Sequence, residues 1–287
     1  MSALPPQPFK RVINLGGGVQ SSTMLMMANR GLLAGGSQPD FAVFADTGNE
    51  PSSVYRMVDW LKNNSSIPVR IVRHKTSITE SLTSRDDKSA YAFNIPWHTV
   101  SNSDGSKGMS KRTCTNRWKI QPIEKEIRWM LGLKRITKQS GIKVEQWIGI
   151  STDEIERVSV SRTYWSTLRH PLIEANMSRS DCHTWWAENI GDSAPPLARS
   201  ACVVCPYHTA EEWIVLAETE PELFAEACEI ENTFNRLQNE DGYDDVQRYL
   251  HRNRVPLAQA VEQDLEKQNT ETPLFARAGE CTGNCWT

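Results

Sequence analysis

Between residues 14 and 23 the chain reads Asn14-Leu15-Gly16-Gly17-Gly18-Val19-Gln20-Ser21-Ser22-Thr23. The apolar run 11–15 predicts a buried strand, and the apolar spacing in 19–29 predicts a helix. Glycines let the backbone approach an anion closely, and a helix N-terminus offers N–H groups and the positive end of its dipole. The segment lacks the Gly-Lys-Ser/Thr of a Walker A loop and the third glycine of the dinucleotide fingerprint. It predicts a phosphate or pyrophosphate site of another kind, with a tight turn that binds nothing as the alternative.

Strand and helix patterns alternate after this turn. Residues 41–45 predict a second strand that ends at Asp46, Pro51 fits the first turn of a second helix, and residues 69–72 predict a third strand. This β-α-β-α-β order predicts an α/β fold, an open parallel sheet with helices on both faces. Further predicted elements are helices at 118–131 and 180–190 and a strand at 146–150.

The rest of the chain is less regular. Residues 84–111 are rich in Ser, Asp, Asn and Gly and predict a long loop, interpreted as a lid. Residues 211–249 predict mainly helix, and the last twenty residues predict a mobile tail. The predicted organisation is a nucleotide-binding domain at 1–200 and a mainly helical C-terminal portion at 201–287.

Composition narrows the class of protein. The 287 residues carry 32 Lys+Arg against 35 Asp+Glu, so the net charge of -3 gives no overall attraction to nucleic acid or anionic membrane. The N-terminus lacks the pattern of a signal peptide, and no apolar run is long enough to span a membrane. We therefore expect a cytoplasmic protein, in which seven cysteines indicate metal or redox chemistry and not a disulfide framework. Nothing in the sequence indicates an oligomeric state.

One cysteine pair has a spacing that carries chemistry. The segment Cys202-Val203-Val204-Cys205-Pro206 is a C-x-x-C motif, and two thiolates at that spacing can ligate one metal or cluster. A redox dithiol and half of a zinc site are the alternatives.

The glycine segment is similar to that of a known superfamily. PP-loop proteins carry Ser-Gly-Gly-x-Asp-Ser here, and Gly16-Gly17-Gly18-Val19-Gln20-Ser21 resembles it, with Gly16 in place of Ser and Gln20 in place of Asp. Gln20 resembles the phosphoadenosine phosphosulfate (PAPS) reductases, and Asp46-Thr47-Gly48 resembles their strand-end Asp-Thr-Gly. The resemblance implies a PP-loop (adenine nucleotide α-hydrolase-like) fold that binds PAPS, adenosine phosphosulfate (APS) or ATP. Its implied nucleotide-binding residues include Gly16, Gly17, Gly18, Gln20, Ser21, Ser22 and Asp46.

The segment around Cys114 resembles the Cys-Cys…Arg-Lys…Pro-Leu segment of iron–sulfur sulfonucleotide reductases, which add a downstream C-x-x-C. The resemblance implies a [4Fe-4S] cluster held by Cys114, Cys202 and Cys205. Thr115 replaces the family's second adjacent Cys, so the fourth ligand is left open between Cys182, His208, a tail cysteine and none. Zinc and unligated thiols are the competing interpretations.

The tail also resembles these reductases, which end in a mobile Glu-Cys-Gly segment whose Cys attacks the nucleotide's sulfur. Glu280-Cys281 matches its first two residues, with Thr282 in place of Gly, so Cys281 is the implied nucleophile. Cys285 could then close a disulfide with it. A thiol or ferredoxin-type electron donor is the implied partner. A disordered end with incidental cysteines is the alternative.

The strand at 146–150 ends in a segment that resembles the reductases' Gly-Leu-Arg-Arg. This likeness implies nucleotide contacts from Gly149, Arg157 and Arg162, with the arginines binding sulfate or phosphate oxygens. Asp153 and Glu154 depart from the family's basic residues. They indicate either a second substrate that differs from the reductases' or a bound Mg²⁺ ion.

Three functions follow from the resemblance and its departures. The leading one is reductase-like chemistry on the sulfur of a small sulfonucleotide. The first rival is an ATP pyrophosphatase that adenylates a nucleic acid and installs sulfur. The second rival is a nucleotide-binding protein without catalysis.

Overall fold

The computed structural model describes residues 10–84, 95–132 and 143–271. In chain order the strands are β1 (Lys10–Leu15), β2 (Phe41–Asp46), β3 (Val69–Arg73), β4 (His98–Ser101), β5 (Lys107–Met109), β6 (Val144–Ile148), β7 (Ser166–Arg169) and β8 (Val246–Tyr249). The α-helices are α1 (Val19–Asn29), α2 (Ser52–Asn64), α3 (Ile78–Thr83), α4 (Gln121–Met130), α5 (Pro171–Glu174), α6 (Arg179–Asn189), α7 (Ala210–Thr219), α8 (Pro221–Glu240) and α9 (Leu257–Glu271). A π-helical turn, Thr115–Ile120, precedes α4, and a 3-10 turn, Thr152–Arg157, follows β6.

The chain forms two compact units. The first combines the described parts of Met1–His74 and Trp118–Ser200, and the second combines those of Lys75–Arg117 and Ala201–Thr287. The second unit is therefore built from two separate stretches of sequence.

A five-stranded parallel sheet organises the first unit. Its strand order is β3-β2-β1-β6-β7. The central strand β1 pairs with β2 on one side and β6 on the other, so that Val12 lies opposite both Phe41 and Gln146. All four pairings are parallel, which confirms the predicted α/β fold with an open parallel sheet.

Alternating side chains give this sheet two apolar faces, because successive residues of a strand point to opposite sides. Ile13 and Phe44 belong to a buried cluster that includes residues of α1, α2 and α6. Val12 and Val43 belong to a second cluster with Ile127 of α4. Helices therefore cover both faces, as predicted.

The second unit contains a three-stranded antiparallel sheet in the order β5-β4-β8, together with α3, α7, α8 and α9. Its core includes Trp97 stacked on Phe234, with ring centroids 4.8 Å apart. The prediction of a long loop at 84–111 is wrong for its described part, because β4 and β5 form a hairpin there. All of β5 is exposed, so its sequence lacks the apolar alternation by which strands are recognised.

The C-terminal portion is mainly helical, as predicted, but β8 interrupts it after α8. No helix in the described ranges is both long and apolar enough to cross a bilayer.

Candidate functional site

The glycine turn lies where the order of the parallel strands reverses. From β1 the chain continues to β2 and β3 on one side, and it later adds β6 and β7 on the other. In open α/β sheets, ligands bind at the carboxyl ends of the strands beside such a reversal. The loops that follow β1, β2 and β6 are therefore the candidate site.

Two of the glycines after β1 are required for different reasons. Gly17 has φ +73°, and a Cβ at this position would lie 3.0 Å from Val54 Cγ1 and 3.1 Å from Val58 Cγ2. Gly18 has φ -94°, which any residue can adopt. A Cβ on Gly18, however, would lie 3.0 Å from both Cβ and the backbone N of Ser200. The turn is thus packed between α2 and the segment that ends at Ser200.

Hydroxyl and backbone N–H groups donate hydrogen bonds to the Gly16 and Gly18 carbonyl oxygens of this turn. The Ser200 hydroxyl donates to the Gly16 carbonyl, and the Ser21 hydroxyl donates to the Gly18 carbonyl at 3.3 Å. The Gly16 N–H donates to Ser21 Oγ at 3.1 Å, and the Ser22 N–H donates to the Gly18 carbonyl at 3.0 Å. With the Gly16 and Gly18 carbonyls accepting these bonds, the turn is a candidate backbone-donor site at the start of α1.

The first turn of α1 has two features that favour an anion. Its N-cap residue, Gly18, supplies no side-chain cap in the described structure. The Ser22 hydroxyl is fully buried, and its oxygen has no hydrogen-bond partner among the described residues. Buried polar groups are normally satisfied, so an unpaired hydroxyl beside a donor-rich turn indicates a missing acceptor.

The loop after β6 packs directly on this turn. A Cβ on Gly149 would lie 2.9 Å from both N and Cα of Ser21, so only glycine fits without a backbone shift. The Gln20 side chain is 8% exposed and donates to Ser151 Oγ at 3.3 Å. The predicted residues Gly149 and Gln20 therefore both join the β6 loop to the start of α1.

The loop after β2 is organised by Asp46, which is 3% exposed. Its carboxylate accepts from the Gly48 N–H at 2.7 Å, the Tyr55 hydroxyl at 2.9 Å and Arg73 Nε at 2.7 Å. Burial and the bond to Asp46 raise the pKa of Tyr55. The sequence alone assigns neither Tyr55 nor Arg73 to the site. The register places Arg73 opposite Asp46 on the neighbouring strand, a signal that requires the pairing of β2 with β3.

The predicted arginines are engaged by carboxylates or exposed. Arg157 lies 2.5 Å from Glu154, and Arg162 is exposed. Arg169, at the end of β7, donates from Nε to Glu174 at 2.8 Å, and this bond raises its pKa.

Asp153, a residue considered for Mg²⁺, accepts from the backbone N–H of Arg179 at 2.9 Å. This carboxylate thus stabilises the start of α6, where negative charge is favourable.

The C-x-x-C pair lies in one tight turn of the second unit. The Cys205 N–H donates to the Cys202 carbonyl at 3.0 Å, and His208 Nε2 bonds the same carbonyl at 2.9 Å. Cys114 is half-buried. Within the described ranges, no three His, Cys, Asp or Glu side chains are grouped to hold a metal ion. The cluster ligands Cys114, Cys202 and Cys205 therefore stay a prediction.

The other cysteines have separate surroundings. Cys182 belongs to the apolar core of the first unit, and burial raises the pKa of its thiol to about 12. Burial also raises the pKa of Cys228 to about 11. Cys281 and Cys285 lie outside the described residues, so the predicted nucleophile stays a prediction.

Fold and site together define an α/β protein with a donor-rich glycine turn at the reversal point of a parallel sheet. No protein-family model matches the chain, and neither does a curated protein. Among solved structures, the chain is similar to a PAPS reductase from Candida auris, crystallised as a phosphate complex. The TM-score is 0.41 at 15% identity, over 65% of this chain and 74% of that chain. The fold assignment rests on the strand order and register described above.

Proposed function

We propose that this protein is a PP-loop enzyme of the PAPS reductase-like kind, which binds an adenine nucleotide and acts in sulfur chemistry. The observation that carries the proposal is the glycine turn between β1 and α1. Its Gly16 and Gly18 carbonyls are occupied by protein donors, and it opens a helix that has no side-chain cap in the described structure. Such a turn suits phosphate or sulfate oxygens.

The neighbouring loops support a nucleotide over a free anion. Asp46 ends β2 and accepts several hydrogen bonds, and Gln20 lies in the first turn of α1 and donates to Ser151 of the loop after β6. Three adjacent strand ends contribute to this site, which allows contacts to a nucleoside as well as to its phosphates. Gly16–Gly18, Ser21, Ser22 and Asp46 are the residues we assign to this site, with Gly149 supporting the start of α1.

The sulfur chemistry follows from the resemblance of the tail. In the proposed reaction, the Cys281 thiolate attacks the sulfur of a sulfonucleotide, and the bond from sulfur to the phosphate oxygen breaks. The nucleotide 5′-phosphate leaves, and the sulfonate stays on Cys281. A thiol donor then attacks the Cys281 sulfur, which releases sulfite and leaves a disulfide. Thiol reductants of the cytoplasm would sustain this cycle.

A [4Fe-4S] cluster is the finer part of the proposal. Cys202 and Cys205 share one turn, as ligands in a C-x-x-C motif must. Cys114 is not grouped with them in the described structure, so the residues as placed do not form a complete site. No step of the proposed reaction is routed through a cluster.

Titration of the purified protein with ATP and with PAPS tests nucleotide binding. Ser22→Ala removes the buried hydroxyl that has no partner in the described structure, and it should weaken binding about tenfold, as for one hydrogen bond to a charged group. Thr23→Val is the matched control, because the Thr23 hydroxyl donates to the Cys182 carbonyl at 3.5 Å. The control should leave nucleotide affinity unchanged.

Turnover separates the candidate reactions. The reductase predicts sulfite release from PAPS or APS with a dithiol donor, and Cys281→Ser should abolish it while binding persists. Pyrophosphate release from ATP without sulfite release would favour the ATP-dependent sulfurtransferase. Binding without either product would favour a non-catalytic nucleotide-binding protein, and no binding at all would contradict the proposal.

A further inference from the structure

The segment that ends at Ser200 contacts the glycine turn from a distant part of the sequence. We call residues 194–200 the strap. Ser200 and Gly16 are 184 positions apart, yet the Ser200 hydroxyl donates to the Gly16 carbonyl. A Cβ on Gly18 would lie 3.0 Å from the Ser200 backbone N and 3.5 Å from the Ala198 carbonyl oxygen. The strap backbone therefore lies in van der Waals contact with the turn.

The start of the strap is anchored on the first unit. Trp60 Nε1 of α2 donates to the carbonyl of Ser193, directly before the strap, at 2.7 Å. Ala194 and Leu197 pack against the apolar cluster shared by α1 and α2. Pro195 and Pro196 lie between these two contacts and restrict the backbone to extended conformations. Ser200 thus reaches the turn from an anchored and conformationally restricted segment.

The Ser200 contact fixes the direction of a backbone donor. Gly16 is held at both ends, because its N–H donates to Ser21 Oγ and its carbonyl accepts from Ser200. The next peptide unit is planar and trans, so the Gly17 N–H points opposite to the Gly16 carbonyl. A carbonyl drawn towards Ser200 therefore turns the Gly17 N–H away from the strap.

We propose that Ser200 is a positioning residue for the anion site: by holding the Gly16 carbonyl, it orients the Gly17 N–H towards the phosphate or sulfate oxygens of the nucleotide. This inference rests on the proposed function. Without the Ser200 hydroxyl, the peptide between Gly16 and Gly17 can rotate, and the carbonyl can then face the anion and repel it. Preorganised donors bind anions more strongly than donors that must first reorient.

The test compares ADP with adenosine, which lacks phosphates, in calorimetric titrations of the full chain. Ser200→Ala should weaken ADP binding about tenfold and leave adenosine binding unchanged. Ser200→Thr keeps a hydroxyl and should restore ADP affinity to within about threefold of the wild type. Ser193→Ala is the matched control, since it removes a hydroxyl whose 2.7 Å bond goes to the Ile190 carbonyl and not to the turn.

The outcomes separate the two proposals. If wild-type protein binds neither probe, the proposed function fails, and this inference fails with it. If wild-type protein binds ADP but Ser200→Ala binds it equally well, only the role of Ser200 is overturned. Equal weakening of ADP and adenosine binding, together with a lower unfolding temperature, would also overturn it, because that result indicates a general structural role.

Discussion

The glycine turn after β1 and the Cys202–Cys205 turn carry the two clearest motifs of the chain, and they differ in what surrounds them. The glycine turn is enclosed by three other segments, with Val54 and Val58 on one side, Ser200 on another and Gly149 against the start of α1. The cysteine turn has its own local hydrogen bonds, but it is not joined by a third metal-ligating side chain within the described ranges.

The difference follows from what each motif needs. An anion site made of backbone amides needs one turn in one conformation, and close packing around the glycines enforces it. A metal site needs several side chains from separate segments, and metal binding is often what brings such ligands together. Folding therefore sets the conformation of the glycine turn, whereas a metal site at the cysteine turn would form only with its metal.

The largest expected effect concerns the cysteine turn and its predicted cluster. Protein purified without oxygen should contain iron and sulfide, and Cys202→Ser or Cys205→Ser should lose nearly all of both, because a cluster needs its thiolates. Cys228→Ser should keep them, since that half-buried thiol has a raised pKa and lies on α8. Iron and sulfide assays with the absorption spectrum near 400 nm measure this. A colourless protein holding one zinc would retire the cluster.

The next largest effect concerns the close packing around the glycine turn. Gly149→Ala places a Cβ 2.9 Å from two backbone atoms of Ser21, which cannot move without shifting α1. We expect a loss of about 2–4 kcal/mol in the free energy of unfolding, typical of severe overpacking. Gly132→Ala is the control, because its Cβ would meet nothing within 4 Å and the cost is only that of φ +63°. Urea denaturation of both variants measures these losses in the free energy of unfolding. Equal losses would show that the Ser21 backbone can accommodate a Cβ at position 149.

The sequence was sufficient for features that depend on local pattern. The helix Val19–Asn29 was predicted with its observed ends, and the first three strands were predicted to within one residue at each end. In each case buried apolar residues and a glycine or proline boundary lie within a few positions of each other. The strap contact was not predictable, because nothing near Ser200 indicates Gly16 as its partner.

The strands β4 and β7 show a second limit of the sequence. Their residues are mostly half-buried, and neither segment has a continuous apolar run. β7 is recognised only by its pairing with β6, and β4 only by its pairing with β5 and β8. Long-range pairing overrides weak local propensity in both strands.

A buried carboxylate in the second unit gives a smaller effect. Glu231 accepts from the N–H groups of Leu250 at 2.6 Å and Leu257 at 2.8 Å, and burial raises its pKa to about 7. A raised folded-state pKa gives stability that is fully present below the unfolded value and is lost as the pH rises. Between about pH 4.5 and pH 7, ionisation of Glu231 should therefore destabilise the protein by at most about 3 kcal/mol.

Glu231→Gln removes this titration, so the difference in unfolding free energy between wild type and variant should change across that pH range. The comparison with a variant is needed because burial lowers the pKa of His98 and His251 in the same unit, which makes stability rise with pH. A constant difference from pH 4.5 to pH 7 would contradict the raised pKa.

The smallest expected effect returns to the loop after β2. Tyr55→Phe removes the 2.9 Å hydrogen bond to Asp46, whose carboxylate keeps its bonds to the Gly48 N–H and Arg73. We expect a loss of about 1 kcal/mol in the free energy of unfolding and less than about a threefold change in ADP affinity.

The raised pKa of Tyr55 adds stability that is present below pH 10 and lost at higher pH, and the Tyr55→Phe variant should lack that loss. Tyr243→Phe, at an exposed position, is the control in urea denaturation. If Tyr55→Phe instead weakened ADP binding as strongly as Ser200→Ala, the Tyr55 hydroxyl would act on nucleotide binding, directly or by positioning Asp46, and the site would extend from the glycine turn to the end of β2.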